Sequence, residues 1–423
     1  MYKITALLFL SLIWEIGIAQ VSFDNYAITG VTIIDANHQV PVTHQTVLIT
    51  RNIISNIFND GSRFIPDSFV MMKMEGKYLL PGLIDAHVHM ATDPSGDDNR
   101  IHTLDVLQRM LYSGITSVRD MAGDARTLAG LSRDALTGDI ISPEIYYSAL
   151  MAGPVFFIDP RTATTTKGAL PGKMPYMLAV TDSTNLVLAV AEAKGTGATG
   201  IKLYANLSPA LVNKIVAEAR KQGIYVWGHA WLQDAKPSDV VKAGVNPISH
   251  SPLLIYDKMD SVPKSWKNGH TYYKSIGDSV PNLSSLFQLM KAHHTILDAT
   301  MLTYKLWGED DSIMRYDYEI TKRITAEAYK AGVTIDAGTD DDQKEFVQKE
   351  MELLVKDAGF TAIDAIIAGT LNGAKAIRID NKVGTVSVGK TANLLILNKN
   401  PLENIENVES VFLVIKNGKL VKN

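Results

Sequence analysis

The chain contains Leu79-Leu80-Pro81-Gly82-Leu83-Ile84-Asp85-Ala86-His87-Val88-His89-Met90, and this stretch decides the fold. Its apolar run from Leu83 to Val88 predicts a buried strand that starts after the turn-forming Pro-Gly pair. Since alternate residues of a strand share a face, His87 and His89 project to the same side. Two imidazoles side by side at a strand end form half of a metal site. Taken alone, an isolated His-x-His pair is more often two ordinary half-buried histidines.

The length and composition of the chain exclude several kinds of partner and of active site. The 423 residues fit one large α/β barrel with an accessory domain. Their net charge of −4 argues against nucleic acid as a partner. The chain has no cysteine, which excludes disulfides, thiolate zinc sites and cysteine nucleophiles. Any metal must therefore be held by His, Asp, Glu or a chemically modified Lys.

The first nineteen residues resemble a secretory signal peptide. Lys3 gives a positive start, residues 4–14 are apolar, and Gly17-Ile18-Ala19 is a small-x-small cleavage pattern. The apolar core is short for a membrane anchor and is followed by Glu15. We therefore expect cleavage after Ala19 and an exported protein without a stable membrane span. The sequence does not distinguish a periplasmic from an extracellular destination.

Both ends of the mature chain are rich in β-branched and alternating residues. Strands are predicted at 26–35, 45–50 and 52–58, and again at 393–397 and 411–421. We expect residues 20–80 and 381–423 to form one small β-sandwich domain between them. The domain of residues 81–380 would then be inserted into it.

Between these ends, strand-like and helix-like segments alternate. The pattern predicts a (β/α)8 TIM-like barrel over residues 81–380, with its active site at the C-terminal ends of the strands. The predicted strands are 83–87, 115–119, 144–147, 200–204, 224–229, 246–250, 295–298 and 333–337.

Potential metal ligands stand at or just after the C-terminal ends of five of these strands. They are His87, His89, Lys202, His229, His250 and Asp340. A lone lysine in an Ile-Lys-Leu strand is normally a surface or ion-paired residue. Here its strand faces the other candidates, which favours a role in the site.

These positions belong to motifs that resemble those of the amidohydrolase superfamily, in the branch of imidazolonepropionase-related and prolidase-like enzymes. The resemblance covers nearly all of the mature chain, and the motifs are specific only when taken together. They are Pro81-Gly-Leu-Ile-Asp-Ala-His-Val-His89, Gly114-Ile-Thr-Ser-Val-Arg-Asp120, Gly200-Ile-Lys-Leu203, Gly338-Thr-Asp340 and Val383-Gly-Thr-Val-Ser-Val-Gly-Lys-Thr-Ala-Asn-Leu394.

The resemblance implies a site for two divalent ions. His87 and His89 would hold the more buried ion, and His229 and His250 the more exposed one. Lys202 would carry a carbamate formed from carbon dioxide and bridge the two ions. Zinc is the default for these ligands, and manganese or cobalt would bind similarly.

The same resemblance implies hydrolysis of an amide C–N bond. A hydroxide bridging the two ions would attack the carbonyl carbon, and Asp340 would accept the proton and return it to the leaving nitrogen. A small amide, a dipeptide or an N-acyl amino acid, is the expected substrate. Tyr204 and Trp231, each two residues after a ligand, are weaker candidates for contact with it. Trp231 stands where similar proteins often have a second histidine, so substrate preference does not transfer directly.

Other readings stay open at this stage. The fold also serves hydrolases of cyclic amides, lactones and esters, and deaminases; the latter generally use one metal and lack the bridging lysine. A non-catalytic scaffold descended from such enzymes predicts missing ligands, and none is missing. The long segment 253–281 is either a lid over the site or an ordered surface loop. Assembly into a homo-oligomer is left open by the sequence.

Overall fold

The computed structural model describes residues 25–38, 40–90, 99–259, 280–340 and 346–421. The predicted signal peptide lies outside these residues. So do residues 260–279 of the segment 253–281, whose first residues belong to the 3-10 helix Ser251–Lys258. Among the described helices, none is both long and apolar enough to cross a membrane.

Eight parallel strands form the barrel, and each pairs with the next in chain order. The fold class predicted from the sequence is confirmed. We number these strands one to eight: Leu83–Val88, Ile115–Asp120, Glu144–Ala152, Gly200–Leu203, Tyr225–His229, Ile248–Ser249, Ile296–Asp298 and Thr334–Asp336.

Hydrogen bonds close the barrel between strands one and eight. The amide of Ala86 donates to the carbonyl of Ala337 at 2.9 Å, and the amide of Asp340 donates to the carbonyl of His87 at 2.8 Å. The buried carboxylate of Asp85 accepts from the Thr339 amide at 3.1 Å and from its hydroxyl at 2.9 Å. The closure therefore fixes His87 and Asp340 relative to each other.

Helices follow the strands on the outside of the barrel. A typical one, Pro209–Gln222, begins after Ser208, whose hydroxyl accepts from the Leu211 amide, and ends at Gly223 with φ of 67°. The α-helices are Arg100–Tyr112, Ala125–Thr137, Arg161–Thr165, Leu186–Gly195, Pro209–Gln222, Pro237–Ala243, Ser284–Ala292, Met301–Asp310, Ser312–Lys330, Val347–Ala358, Ala362–Ile367 and Gly373–Ile377.

An insertion follows strand three before the next barrel helix. It contains a 3-10 turn at Pro154–Ile158, the short helix Arg161–Thr165 and the strands Lys173–Met174 and Met177–Ala179. The second of these strands pairs with strand three, which anchors the insertion to the barrel at the end that carries the candidate ligands.

The two chain ends share one mainly antiparallel sheet. Its N-terminal and C-terminal parts meet where Tyr78–Pro81 pairs with Leu394–Leu397. Two of its strands, Val70–Lys73 and Tyr78–Pro81, were not predicted. In spatial order the strands are Ile53–Asn59, Val42–Thr50, Asn25–Ile33, Tyr78–Pro81, Leu394–Leu397, Val411–Lys416 and Lys419–Val421, with Val70–Lys73 beside Asn25–Ile33.

Strand Leu394–Leu397 packs on both of its faces. Leu394 and Ile396 belong to the core of the terminal sheet, whereas Leu395 and Leu397 belong to the core shared with the barrel. Leu395 lies against Gly114, where an added Cβ would come within 2.7 Å of its Cδ1. The terminal sheet is thus joined to the barrel by buried apolar contact.

Substitution of Leu395 tests this contact. Leu395→Ala should lower the free energy of unfolding by about 2–5 kcal/mol, because it leaves a cavity between sheet and barrel. Val388→Ala, at a side chain that is 59% exposed, should change it by less than about 0.5 kcal/mol. Urea unfolding followed by circular dichroism measures both. Equal effects of the two variants would show that the contact is not important for stability.

Candidate metal centre

The predicted ligands meet at the C-terminal end of the barrel. One oxygen of Asp340 lies 3.2 Å from His87 Nε2 and 3.1 Å from His89 Nε2. Its other oxygen lies 3.8 Å from His250 Nδ1. Ligand atoms of His87, His250 and Asp340 all lie within 4.8 Å of one another. Residues from strands one, six and eight therefore point into a single small volume.

His229 extends this cluster along the strand order. Its ring centroid lies 4.3 Å from that of His250, in an edge-on arrangement. Burial lowers the pKa of His229 well below its usual value and lowers the pKa of His250 to about 3. Both imidazoles are thus neutral near pH 7, which is the state that binds a metal.

Lys202 is buried in the wall of strand four, 1% exposed. Its Nζ has no hydrogen-bond partner among the described residues. Burial lowers the pKa of Lys202 to about 7, although Asp298 and Asp340 oppose the shift. A buried amine without a partner is costly unless another group completes its environment.

Asp340 supplies the negative charge of the cluster. Burial alone would raise its pKa, but His87, His89 and His250 hold the pKa of Asp340 well below its usual value. Its carboxylate is therefore ionised and can only accept hydrogen bonds or bind a cation. Four imidazoles, one carboxylate and one unpartnered amine form a set of donors suited to divalent transition metals.

Asp298, at the end of strand seven, was not among the predicted site residues. Its Oδ2 lies 2.6 Å from His87 Nδ1 and accepts from Ser249 Oγ at 2.8 Å. His87 and Arg119 keep the pKa of Asp298 low against the effect of burial. Because an ionised carboxylate only accepts, His87 donates from Nδ1 to Asp298, and this contact turns Nε2 toward the cluster.

Two other histidines are oriented by similar contacts. His89 Nδ1 lies 3.2 Å from the carbonyl oxygen of Ala122, and His250 Nδ1 lies 2.9 Å from Thr300 Oγ1. Ala122 and Thr300 were not predicted from the sequence, because each lies far along the chain from its histidine and the contact forms only in the folded barrel. Asp298 did carry a signal: it is a carboxylate at the end of a predicted barrel strand.

The backbone is strained around the cluster. Left-handed φ values occur at Ala122 (103°), His250 (76°), Thr300 (51°) and Asp340 (48°), although none of these is a glycine. Such conformations cost about 1–3 kcal/mol each and persist where the surrounding structure imposes them. They turn the chain sharply at the strand ends and aim the side chains of His250 and Asp340 inward.

Tyr204 and Trp231 occupy different positions relative to the cluster. The ring centroid of Tyr204 lies 4.0 Å from that of His229 and 4.4 Å from that of Phe156. Trp231 is 4% exposed, and its indole N–H donates to the carbonyl of Gln233. It stacks on Tyr256 at 3.8 Å. Contact of either residue with substrate stays a prediction, and Tyr204 is the better placed.

Comparison with known proteins is consistent with this site. The sequence model of the Amidohydrolase family matches residues 78–421. Ochratoxinase of Aspergillus niger is 24% identical over 437 aligned positions, which cover 90% of this chain and 84% of the relative.

Solved structures are similar in fold. A Xaa-Pro dipeptidase with bound methionine superposes with a TM-score of 0.74 at 23% identity, covering 94% of this chain and 100% of that one. The A. niger ochratoxinase superposes with a TM-score of 0.73 at 21% identity, covering 95% and 96% of the two chains. At this identity the likeness shows the shared fold.

Gly338 allows strand eight to approach the site. A Cβ there would lie 2.5 Å from Asp298 Oδ1 and 2.6 Å from His87 Cβ. Gly338→Ala should therefore destabilise the protein by about 1–3 kcal/mol, through overpacking. Thermal unfolding measures the change.

Gly130→Ala is the matched control, because nothing lies within 4 Å of a Cβ at that helical position. It should stabilise the protein by up to about 1 kcal/mol. A neutral or stabilising effect of Gly338→Ala would contradict the tight packing of this position against Asp298 and His87.

Proposed function

The chain belongs to the amidohydrolase family, and we propose that it is a metal-dependent hydrolase of the amide bond in a dipeptide or N-acyl amino acid. The observation that carries the proposal is the convergence of four histidines, Asp340 and the buried amine of Lys202 at one end of the barrel. The names of the relatives give support, since a Xaa-Pro dipeptidase acts on a dipeptide.

The residues fit two divalent ions. His87 and His89 would hold one ion, and His229 and His250 the other. Lys202, as a carbamate, would give an anionic oxygen ligand to both in place of its unpartnered Nζ. Zinc is the first choice for this set, with manganese or cobalt as substitutes. Bound divalent ions would lower the pKa of water, so that hydroxide is available near neutral pH, and would polarise the carbonyl that it attacks.

The chain's own groups would then handle the proton. Asp340 is ionised and lies beside three imidazoles. Its carboxylate would take the proton of the attacking water and deliver it to the leaving nitrogen, as base and then as acid. Asp298 would hold His87 in the required tautomer during the cycle.

We also propose that the protein is exported, with residues 1–19 as a cleaved signal peptide. The support is the charged start, the apolar core and the small-x-small pattern before Gln20.

Metal content and Lys202 together test the catalytic proposal. The purified protein should hold about two divalent ions per chain, as measured by mass spectrometry of the elements. It should hydrolyse members of a dipeptide and N-acyl amino acid library. Lys202→Ala should lower the metal content and reduce kcat/KM at least about 10³-fold, because a ligand to both ions is lost.

Lys214→Ala serves as the control for lysine removal, since that side chain lies on the surface of helix Pro209–Gln222. It should retain both ions and full activity. A native protein that stays folded and active after complete metal removal would refute the proposal. Incorporation of ¹³C-labelled carbon dioxide at Lys202, seen by NMR, tests the carbamate separately.

N-terminal sequencing tests export. The protein recovered from the periplasm or medium of a producing cell should begin at Gln20. A full-length chain found only in the cytoplasm would contradict cleavage and export.

A further inference from the structure

A second functional position lies beside the metal centre, in the insertion after strand three. Arg161 is the first residue of helix Arg161–Thr165, and Tyr204 directly follows strand four. Strands three and four are neighbours in the barrel. Arg161 lies close enough to the hydroxyl of Tyr204 for the two side chains to interact electrostatically. This contact links the insertion to the ligand cluster.

Asp159 fixes the orientation of this arginine. Its Oδ1 accepts from Arg161 Nε at 3.2 Å, and its Oδ2 accepts from Nη2 at 3.2 Å. The backbone amide of Arg161 also donates to Oδ1 at 3.0 Å. The side chain of Asp159 is 3% exposed, whereas that of Arg161 is 40% exposed. A guanidinium that is oriented by a buried carboxylate and is still 40% exposed is preorganised for an anion.

Arg161 lies close to the candidate metal ligands. Tyr204 lies between Arg161 and His229, with its ring centroid 4.0 Å from the imidazole. Arg161 is therefore one side chain away from the ligands. The Arg161 guanidinium is planar and always charged. At this distance from the candidate ligands, it suits a carboxylate that is attached close to the bond that reacts.

Aromatic side chains also lie beside His250. Tyr304 lies 6.2 Å from His250 between ring centroids, and Trp307 packs edge-on against Tyr304 at 5.5 Å. The indole of Trp307 is 45% exposed. Cationic and aromatic groups thus both lie beside the ligand cluster.

We infer that Arg161 and Tyr204 bind a free carboxylate of the substrate, so that the enzyme selects amides of amino acids over amides of simple amines. The inference rests on the proposed function and narrows it. The carboxylate of the leaving amino acid accepts from the Arg161 guanidinium and from the Tyr204 hydroxyl, and the acyl group faces Tyr304 and Trp307.

The chain offers a matched control for the arginine. Asp124 and Arg126 repeat the Asp-x-Arg arrangement after strand two, with the Asp124 carboxylate accepting from Arg126 Nε at 2.8 Å. Arg126 is 48% exposed and lies near the ring of Tyr176. The local geometry is the same, but its neighbour is not a tyrosine that contacts a candidate ligand.

Two substrates that differ only in a carboxylate test the inference. N-benzoylalanine carries it, and N-ethylbenzamide lacks it. The native enzyme should prefer N-benzoylalanine at least about 100-fold in kcat/KM. Arg161→Met should reduce kcat/KM for N-benzoylalanine about 10- to 100-fold, mainly through KM, and change that for N-ethylbenzamide less than about 3-fold. Arg126→Met should alter neither.

Tyr204→Phe provides an independent variant if Arg161→Met does not fold. It should raise KM for N-benzoylalanine about 3- to 10-fold and lower the preference for that substrate over N-ethylbenzamide by a similar factor. Equal losses on both substrates, or no preference in the native enzyme, would overturn the inference while leaving amide hydrolysis intact.

A binding measurement separates this inference from the proposed function. The ketone 2-methyl-4-oxo-4-phenylbutanoate replaces the amide N–H of N-benzoylalanine by CH₂ and cannot be hydrolysed in the same way; butyrophenone lacks its carboxylate. Calorimetry should show that the ketoacid binds more tightly than butyrophenone and that Arg161→Met abolishes the difference. That result without any hydrolysis would support the inference and refute the function. Equal binding of both ketones would overturn the inference.

Discussion

The seam between the first and eighth barrel strands is the constraint on which the site depends. Asp85 joins the two strands by accepting from both the amide and the hydroxyl of Thr339. Gly338, just after strand eight, leaves room for His87 of strand one to contact Asp298 of strand seven. A residue with a side chain there would collide with both His87 and Asp298. The geometry of the ligands is therefore a property of the barrel's closure.

Beneath the ligands, the barrel encloses several ionisable side chains. Asp298 and Asp336 are buried, and burial raises the pKa of Asp336 well above its usual value. Arg119, also fully buried, lies 3.6 Å from Asp298 and donates to the carbonyl of Ala86 at 2.6 Å. Buried ions contribute little to stability once desolvation is counted. These buried groups instead hold the His87 ring in one orientation, through the contact of its Nδ1 with Asp298.

The sequence was a good guide to the barrel and to the side chains that meet at its C-terminal end, for one physical reason. Parallel strands bring their C-terminal ends together, so a chemical group at a strand end can be assigned to the site before any contact is known. Asp298 and Arg161 were missed because their roles depend on side chains distant along the chain. The short strand Val70–Lys73 was also missed, since its pairing with Asn25–Ile33 is seen only in the structure.

The shared terminal sheet has a consequence for the order of events during synthesis. Strand Tyr78–Pro81 is made early, but its neighbour Leu394–Leu397 emerges only after the whole barrel. Because synthesis adds about 5–20 residues per second, strand Tyr78–Pro81 lacks this neighbour for tens of seconds. Strands made after the barrel thus complete a sheet that strands made before it began. A chain that ends prematurely, even just after the barrel, would carry an open strand edge and be prone to aggregate.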